Sequence, residues 1–375
     1  MFLHTSLIRP AVAAAALAFV FTGCCSAPEE PAAPGLTEFT NHAAVWPDNN
    51  GTHISAHGGC MLKVGDTYYW YGEHRMGDRR VGVHAYSSKD LYNWKDEGLV
   101  FESTFIPNCP AHINLERPKV VYNAKTGKYV LWFHQESGYG YKYAFVGCGI
   151  ADAPTGPFKH VYTGRPAPGT WPAEMPAELK DYAEGKVQVC DPRYARLAEN
   201  FEAGQESRDM TAFVDDDGKA YLFCSSENNK TMHVVELDDE YTGFTGRWWR
   251  ILEEQSYEAP VVFRHDGKYY LLGSHCTGWQ PNPGRVAVAD KISGPWRELG
   301  NFAVGEGAER TYEGQTAHSF AVPDKDGGEV RVIMLDSWRP KALRTSQYIW
   351  LPVKWQGEKP ILPYRKTWQL PAPLR

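Results

Sequence analysis

Three absences narrow the field before any motif is read. The chain has no long hydrophobic run: its one sustained apolar stretch, Ala11 to Phe21, is too short to cross a bilayer as a mature helix. Following Arg9, that stretch has the make-up of a signal-peptide core, a segment read for export and then removed. There is no surplus of basic charge. With a formal net charge of -6 and 22% charged residues, the chain offers no electrostatic footprint for nucleic acid. Nor is there a CxxC or Cys/His spacing of the kind that holds zinc, so neither a catalytic metal nor a required cofactor is expected. What is plentiful is aromatic: 13 Trp, 21 Tyr and 16 Phe, side chains that build cores and stack on the apolar faces of sugar rings.

The apolar run ends in Phe21-Thr22-Gly23-Cys24, which resembles the bacterial lipoprotein cleavage box with Phe21 in the place usually held by Leu. The expected organisation is a signal peptide over 1–23, a tether over 24–40 beginning with a lipidated Cys24, and one catalytic domain over 41–375. Such a chain is exported and lipid-anchored in the cell envelope. It touches the membrane through its anchor alone and is expected to be a monomer. Of the remaining cysteines, Cys148, Cys224 and Cys276 lie in strand-like apolar contexts and read as buried thiols, whereas Cys109 and Cys190 flank Pro-rich loops and are the pair expected to bridge.

The mature part, roughly 340 residues, is larger than one ordinary core, so it is either two domains or one repetitive one. Repetition decides between them. A glycine turn followed by β-branched and aromatic residues recurs at Gly65 to Glu73, Gly127 to His134, Gly218 to Ser225, Gly267 to Ser274 and, more loosely, Gly328 to Leu335. Before most copies sits another strand, as at Lys119 to Tyr122, Thr211 to Val214 and Val261 to Arg264, and a further strand follows each. Four-stranded units repeated about an axis make a propeller, so the expected fold is an all-β, five-bladed β-propeller. The long insertion from Tyr162 to Ser207 is expected as a loop or short helices over one face, and Lys354 to Arg375 as a short closing tail.

The innermost strand of each blade lines the axis, where ligands bind. Glu116, Asp209 and Glu258 each stand just before an apolar strand segment, at Leu115-Glu116-Arg117-Pro118, Arg208-Asp209-Met210-Thr211 and Tyr257-Glu258-Ala259-Pro260. One such acid is as readily a structural partner of Arg117 or Arg208 as a catalyst. Three at equivalent positions point to acid–base chemistry. Cleaving a glycosidic bond takes a protonated carboxyl for the leaving oxygen and a second group to handle the water. Glu258 is the expected general acid and Asp209 the neighbour that raises its pKa by like-charge repulsion. Glu116 is one candidate for the water, and Glu313 another.

These segments, with Asn50 to Gly59 and Tyr69-Trp70-Tyr71-Gly72-Glu73, resemble the family-43 glycoside hydrolases, in particular the branch of exo-β-1,3-galactanases, over about residues 46–355. The resemblance implies an inverting exo-hydrolase that releases terminal galactose from β-1,3-galactan, the backbone of arabinogalactan, with Glu258 as acid and Asp209 as pKa modulator. The first inner strand, His53 to Cys60, lacks the carboxylate that serves as base in the wider family. In the branch, a glutamine of the fifth blade is put forward to position or activate the water as its imidic tautomer, a place that falls on Gln315, and Glu116 becomes a grip on sugar hydroxyls. Glu73, Asn228, Asn229 and Thr277 match positions contacting the terminal galactose, and Tyr141 or Tyr143 could form a stacking wall. Trp279 and Trp338 are candidate sugar platforms, while His57 and His318 read as core. The family leaves room for a structural calcium or sodium on the axis. Two other activities share the fold, α-L-arabinofuranosidase and β-galactofuranosidase; a glycan-binding lipoprotein without turnover is the alternative of another class.

Overall fold

The computed structural model describes residues 35–76, 79–109, 113–137, 140–177, 180–181, 184–186 and 192–374. The expected signal peptide, Cys24 and most of the tether lie outside them, as does Cys190 and with it the expected bridge to Cys109. After β1 (Phe39–Thr40) come four four-stranded antiparallel sheets in chain order. They are β2 (His57–Val64), β3 (Thr67–Met76), β4 (Arg79–Ser88) and β5 (Lys95–Glu102); then β6 (Ile113–Asn123), β7 (Lys128–Ser137), β8 (Phe145–Ala151) and β9 (Lys159–Gly164). The third holds β10 (Met210–Val214), β11 (Ala220–Ser226), β12 (Thr231–Leu237) and β13 (Phe244–Ile251), and the fourth β14 (Tyr257–His265), β15 (Lys268–His275), β16 (Arg285–Ala289) and β17 (Arg297–Gly300). β18 (Ala303–Val304) precedes a three-stranded sheet of β19 (Gln315–Pro323), β20 (Glu329–Ser337) and β21 (Gln347–Pro352). Finally β22 (Lys354–Gln356) and β23 (Lys359–Pro363) form a hairpin whose β23 pairs in parallel with β18, and β24 (Thr367–Trp368) pairs with β1.

The fold is thus an all-β propeller, but the count is corrected: the described residues form six sheets of three or four strands, not five blades. The sixth was hidden because β18 and β23 are short and lie far apart in the chain, with no copy of the glycine–aromatic repeat to mark them. The residues after 353, expected as a tail, supply two of its strands. Phe39 and Thr40, assigned to the tether, belong to the fold as β1.

Inner strands β2, β6, β10, β14 and β19 pack each against the next, and β19 returns to β2. Between each adjacent pair of these sheets lies one apolar cluster. In β7, Leu131 and Phe133 enter the cluster shared with the first sheet, whereas Val130 and Trp132 enter the one shared with the third. Both faces of the strand are therefore buried, which explains why the repeat reads as a continuous apolar run rather than an alternating one. The ring closes through an aromatic cluster in which Trp46, Trp70 and Trp350 meet edge to face with centroids 4.8–6.0 Å apart. Phe39 packs on Trp350 and Trp368 at 5.4 and 4.4 Å. Beside it, buried Asn41 accepts from the Trp350 amide at 2.8 Å and donates to its carbonyl at 3.1 Å, so the N-terminal segment adds a rung to the outer edge of β21.

Phe39→Ala is expected to lower the unfolding free energy by about 3–5 kcal/mol, the usual cost of emptying a buried aromatic site. Urea denaturation reads it; a loss under about 1 kcal/mol would show that the first strand is ornament to the closure.

Candidate active site

Three of the inner strands, β2, β6 and β14, carry an irregularity beside an axial residue. Pairing shifts register between His57 and Cys60, between Glu116 and Lys119, and between Glu258 and Val261. Just past the axial residue, Gly58, Arg117 and Ala259 take φ of 63°, 52° and 52°. These are β-bulges, which bend the strand and re-aim a side chain. Each bulge turns its amide to a carboxylate: Gly58 N donates to Asp336 at 2.7 Å, Arg117 N to Glu73 at 3.2 Å and Ala259 N to Asp209 at 3.0 Å. At Gly58 the left-handed backbone also admits no side chain, since a Cβ would stand 2.6 Å from Glu73 Oε1.

Above these bulges opens a cavity of about 310 Å3 lined by Glu73, Glu116, Asp209 and Glu258, four arginines, Tyr141, Asn229, Gln315, Trp279 and Trp338. Three of the four acids hold a guanidinium. Glu73 meets Arg75 at 2.5 Å, Glu116 meets Arg80 at 2.8 Å and Asp209 meets Arg117 at 2.8 Å. Among the described residues no arginine or lysine pairs with Glu258, which accepts a 3.3 Å bond from Asn229 Nδ2 and another from the Cys276 thiol. Burial, and then the charge of Asp209, push the Glu258 carboxyl up to about 7. Glu116 is the opposite case: burial works against its charge, but Arg80 and His134 outweigh it and hold the carboxyl far below the usual range. His134 is itself buried between Glu116 at 3.3 Å and Glu136 at 3.4 Å. Burial opposes its charge too, yet the two carboxylates raise it to about 9, so it stays an imidazolium.

Asp209 therefore does two things to Glu258. Its charge disfavours ionisation of the neighbour, and its Oδ2 grips the amide of the next residue, Ala259, fixing the bulge that aims the glutamate. Asn229 is delivered by a strained turn: Glu227, Asn228 and Asn229 all have positive φ, 52°, 59° and 62°. Three such residues in a row persist only under restraint. Arg250 supplies it by clasping Glu227 at 2.7 and 2.8 Å, with His233 at 2.8 Å.

Of the residues singled out in the sequence, Glu73, Glu116, Tyr141, Asp209, Asn229, Glu258 and Gln315 converge on this cavity. Tyr141 donates its hydroxyl to Glu116 at 2.8 Å. Asn228, Thr277 and Tyr143 stand outside its wall. Asn228 accepts from Arg196 at 3.0 Å, the Thr277 hydroxyl is occupied within its own loop by Gln280 and Asn282, and the Tyr143 ring stacks on Phe145. Glu313 turns to Arg310. Cys276, expected to be buried, is exposed just past the end of β15, while Cys148 and Cys224 are buried. Arg75, Arg80 and His134 were missed. Arg75 was findable, being two residues from Glu73 on one strand and so on the same face.

Below the cavity the axis is filled. Fully buried Lys119 donates to the carbonyls of Gly58 at 2.6 Å and Gly59 at 3.1 Å, and burial lowers its ammonium to about 8. A calcium or sodium placed beside Lys119 would meet the repulsion of its ammonium. Oxygen and nitrogen atoms of Glu116, His134 and Asp209 lie within 4.8 Å of one another, but Arg80 and Arg117 already neutralise the two carboxylates.

A carboxyl kept protonated near neutral pH, beside an ionised one and under aromatic walls, is suited to handing a proton to the oxygen between two sugars. On a propeller, that arrangement defines a class of glycoside hydrolases. The chain belongs to glycosyl hydrolases family 43, whose model matches residues 193–357. It is 39% identical to a β-1,3-galactosidase of that family solved with galactodeoxynojirimycin, over 88% of this chain and 100% of that one, with a TM-score of 0.81. An exo-β-1,3-galactanase from Clostridium thermocellum is 33% identical over 88% of this chain and 66% of its own, TM-score 0.75. One from Phanerochaete chrysosporium, solved with β-1,3-galactotriose, is 29% identical over 89% and 68%, TM-score 0.73. A β-D-galactofuranosidase from Aspergillus niger is 32% identical over 110 residues, 27% of this chain and only about a third (32%) of that relative's length.

Carbon-13 NMR of the Glu258 carboxyl is expected to show a midpoint near pH 7, moving down by about one unit in Asp209→Asn as the repelling charge goes. A midpoint near 4.5 in the native protein would contradict the assignment of this acid. Because the folded value lies above the unfolded one, the folded state holds a proton that the unfolded chain releases. Glu258 therefore withdraws stability as pH rises from about 4.5 to 7, and no more above that.

Proposed function

We propose that this glycoside hydrolase is an inverting, exo-acting enzyme that removes terminal galactose from β-1,3-galactan such as the backbone of arabinogalactan. The observation that carries the chemistry is the unpaired Glu258 carboxyl among three arginine-paired ones. The substrate rests on the similarity to β-1,3-galactosidases and exo-β-1,3-galactanases. Exo action is supported by the cavity floor: Arg117, Lys119 and Asp336 are buried beneath it, which leaves a blind end that takes a chain terminus rather than a passing chain.

In this reading the terminal sugar sits between the acid wall and the Trp279–Trp338 pair, with hydroxyls on Glu73, Glu116 and Asn229. Glu258 passes its proton to the glycosidic oxygen as the bond to the anomeric carbon breaks. A water attacks that carbon from the opposite face, sheds a proton to solvent, and Glu258 is reprotonated from solvent. One water is consumed and the released galactose has inverted configuration. Glu116 serves as a grip, since Arg80 and His134 leave it a poor base. No metal enters the reaction, and export with a lipid on Cys24 belongs to the same proposal.

The test is incubation with β-1,3-galactan, with proton NMR following the anomer first released. Free α-galactose supports the reading, β-galactose refutes inversion, and binding without release supports the non-catalytic alternative. Galactofuranosides form a second arm, favoured by the partial likeness to the Aspergillus enzyme. Glu258→Gln is expected to cost about 10²–10⁴-fold in kcat, the usual worth of general acid catalysis. EDTA is expected to leave both rate and melting temperature unchanged; a drop of several degrees would mean that an ion holds the axis.

A further inference from the structure

β15 ends at His275, and Cys276 follows it as an exposed residue whose sulfur nonetheless meets three acceptors. Its Sγ lies 3.7 Å from the Asn229 carbonyl and 3.6 Å from that of Ser256, and it bonds the Glu258 carboxyl. A thiol carries one proton, so it serves one acceptor at a time. All three acceptors belong to the setting of Glu258: Asn229 donates its Nδ2 to that carboxyl at 3.3 Å, and Ser256 stands two residues before it.

Which of them holds the S–H depends on the charge of Glu258. A protonated carboxyl is a neutral acceptor in competition with two backbone carbonyls. A carboxylate outcompetes them, because a bond to an ionised acceptor is roughly twice as strong as one to a neutral acceptor. The sulfur stays a donor throughout. Burial, and then the charge of Glu258, push the thiol well above its ordinary value, so no thiolate forms beside the acid.

We propose that Cys276 is a positioning residue for the general acid, its S–H passing from the Asn229 and Ser256 carbonyls to the Glu258 carboxylate as Glu258 gives up its proton. No bond to sulfur breaks; only the acceptor of the S–H changes. The inference rests on the reading of Glu258 as the proton donor, and its consequence is a ceiling on how tightly that proton is held. Burial and the charge of Asp209 raise the Glu258 carboxyl, and among the influences that lower it the Cys276 bond stands ahead of the charge of Arg117. An acid works best when its pKa lies near the operating pH, and without the thiol it would sit above that.

The other charges around the pair are accounted for. Glu116 repels Glu258 but is held by Arg80, and the Arg117 guanidinium is shared by Asp209 and Gln315. On the far side Arg285 faces the thiol but is committed to Glu298 at 2.9 Å. Burial, and then Arg285, lower neighbouring His275, which is therefore neutral at pH 7.

Cys276→Val removes the donor at nearly constant shape, and Cys276→Ser keeps one. The carbon-13 midpoint of Glu258 is expected to rise by about one unit in Cys276→Val, as one bond to the charged form is lost, and to stay at or below the native value in Cys276→Ser. The descending limb of kcat/KM against pH on β-1,3-galactobiose should move in step. A midpoint that stays put or falls in Cys276→Val would overturn the proposal, and so would equal upward shifts in both variants, which mark a packing effect. A second readout is the thiol itself, since only a thiolate is alkylated. Removing the charge in Glu258→Gln should let iodoacetamide modify Cys276 at least about ten-fold faster at pH 8, followed by mass spectrometry of its peptide. Equal rates in the two proteins would overturn the coupling. Neither the carbon-13 nor the alkylation arm needs turnover. If no glycan is cleaved, the hydrolase reading fails while these two arms still decide what Cys276 does to Glu258.

Discussion

The contact on which the rest depends is an amide of one sheet donating to a carboxylate of the sheet before it. Gly58 reaches Asp336, Arg117 reaches Glu73 and Ala259 reaches Asp209, and in each case the donor is the bulged residue directly after an axial side chain. A bulge leaves one backbone N–H without a place in its own ladder, and a buried N–H needs another acceptor. The neighbouring acid does so. The same bond locks adjacent sheets together at the axis and, at Glu116 and Glu258, stands beside a residue that lines the cavity, so closure of the ring and construction of the site go together.

This arrangement also explains how four carboxyl groups in one small cavity come to have different tasks. Three are charged and held by arginines. None of those guanidiniums bonds Glu258, which has the Asn229 amide, the Cys276 thiol and the repulsion of Asp209. Its environment sets it apart as the one that keeps a proton. Arg117 is the common member: its backbone satisfies Glu73, its guanidinium satisfies Asp209 and Gln315, and the Thr316 carbonyl receives the remaining bond at 3.1 Å.

How much of this could be read from residues alone depended on the range of the interaction. Acids standing out of apolar strands at 116, 209 and 258 were legible, because burial of a charge is visible as a break in a hydrophobic pattern. Gln315 was placed only through family likeness, and nothing local in its segment announces the indole and guanidinium that clasp it. Arg80 and His134 were invisible as site residues, since their partner Glu116 is brought to them by pairing of different strands. The sixth sheet escaped for the same reason: a two-residue parallel contact between β18 and β23 leaves no periodic trace. Thr277 and Asn228 lie beside the cavity in the chain, yet their side chains are committed to Asn282 and Arg196. Cys276 looked like the end of an apolar strand that in fact stops at His275.

The central claim is that Glu258 is needed to protonate the leaving oxygen and for nothing else. A leaving group that departs without a proton separates that role from binding. With 2,4-dinitrophenyl β-galactoside as substrate, Glu258→Ala is predicted to keep its rate of bond cleavage within about ten-fold of the native enzyme, while losing about 10²–10⁴-fold on β-1,3-galactobiose. Equal losses on both substrates would contradict the account.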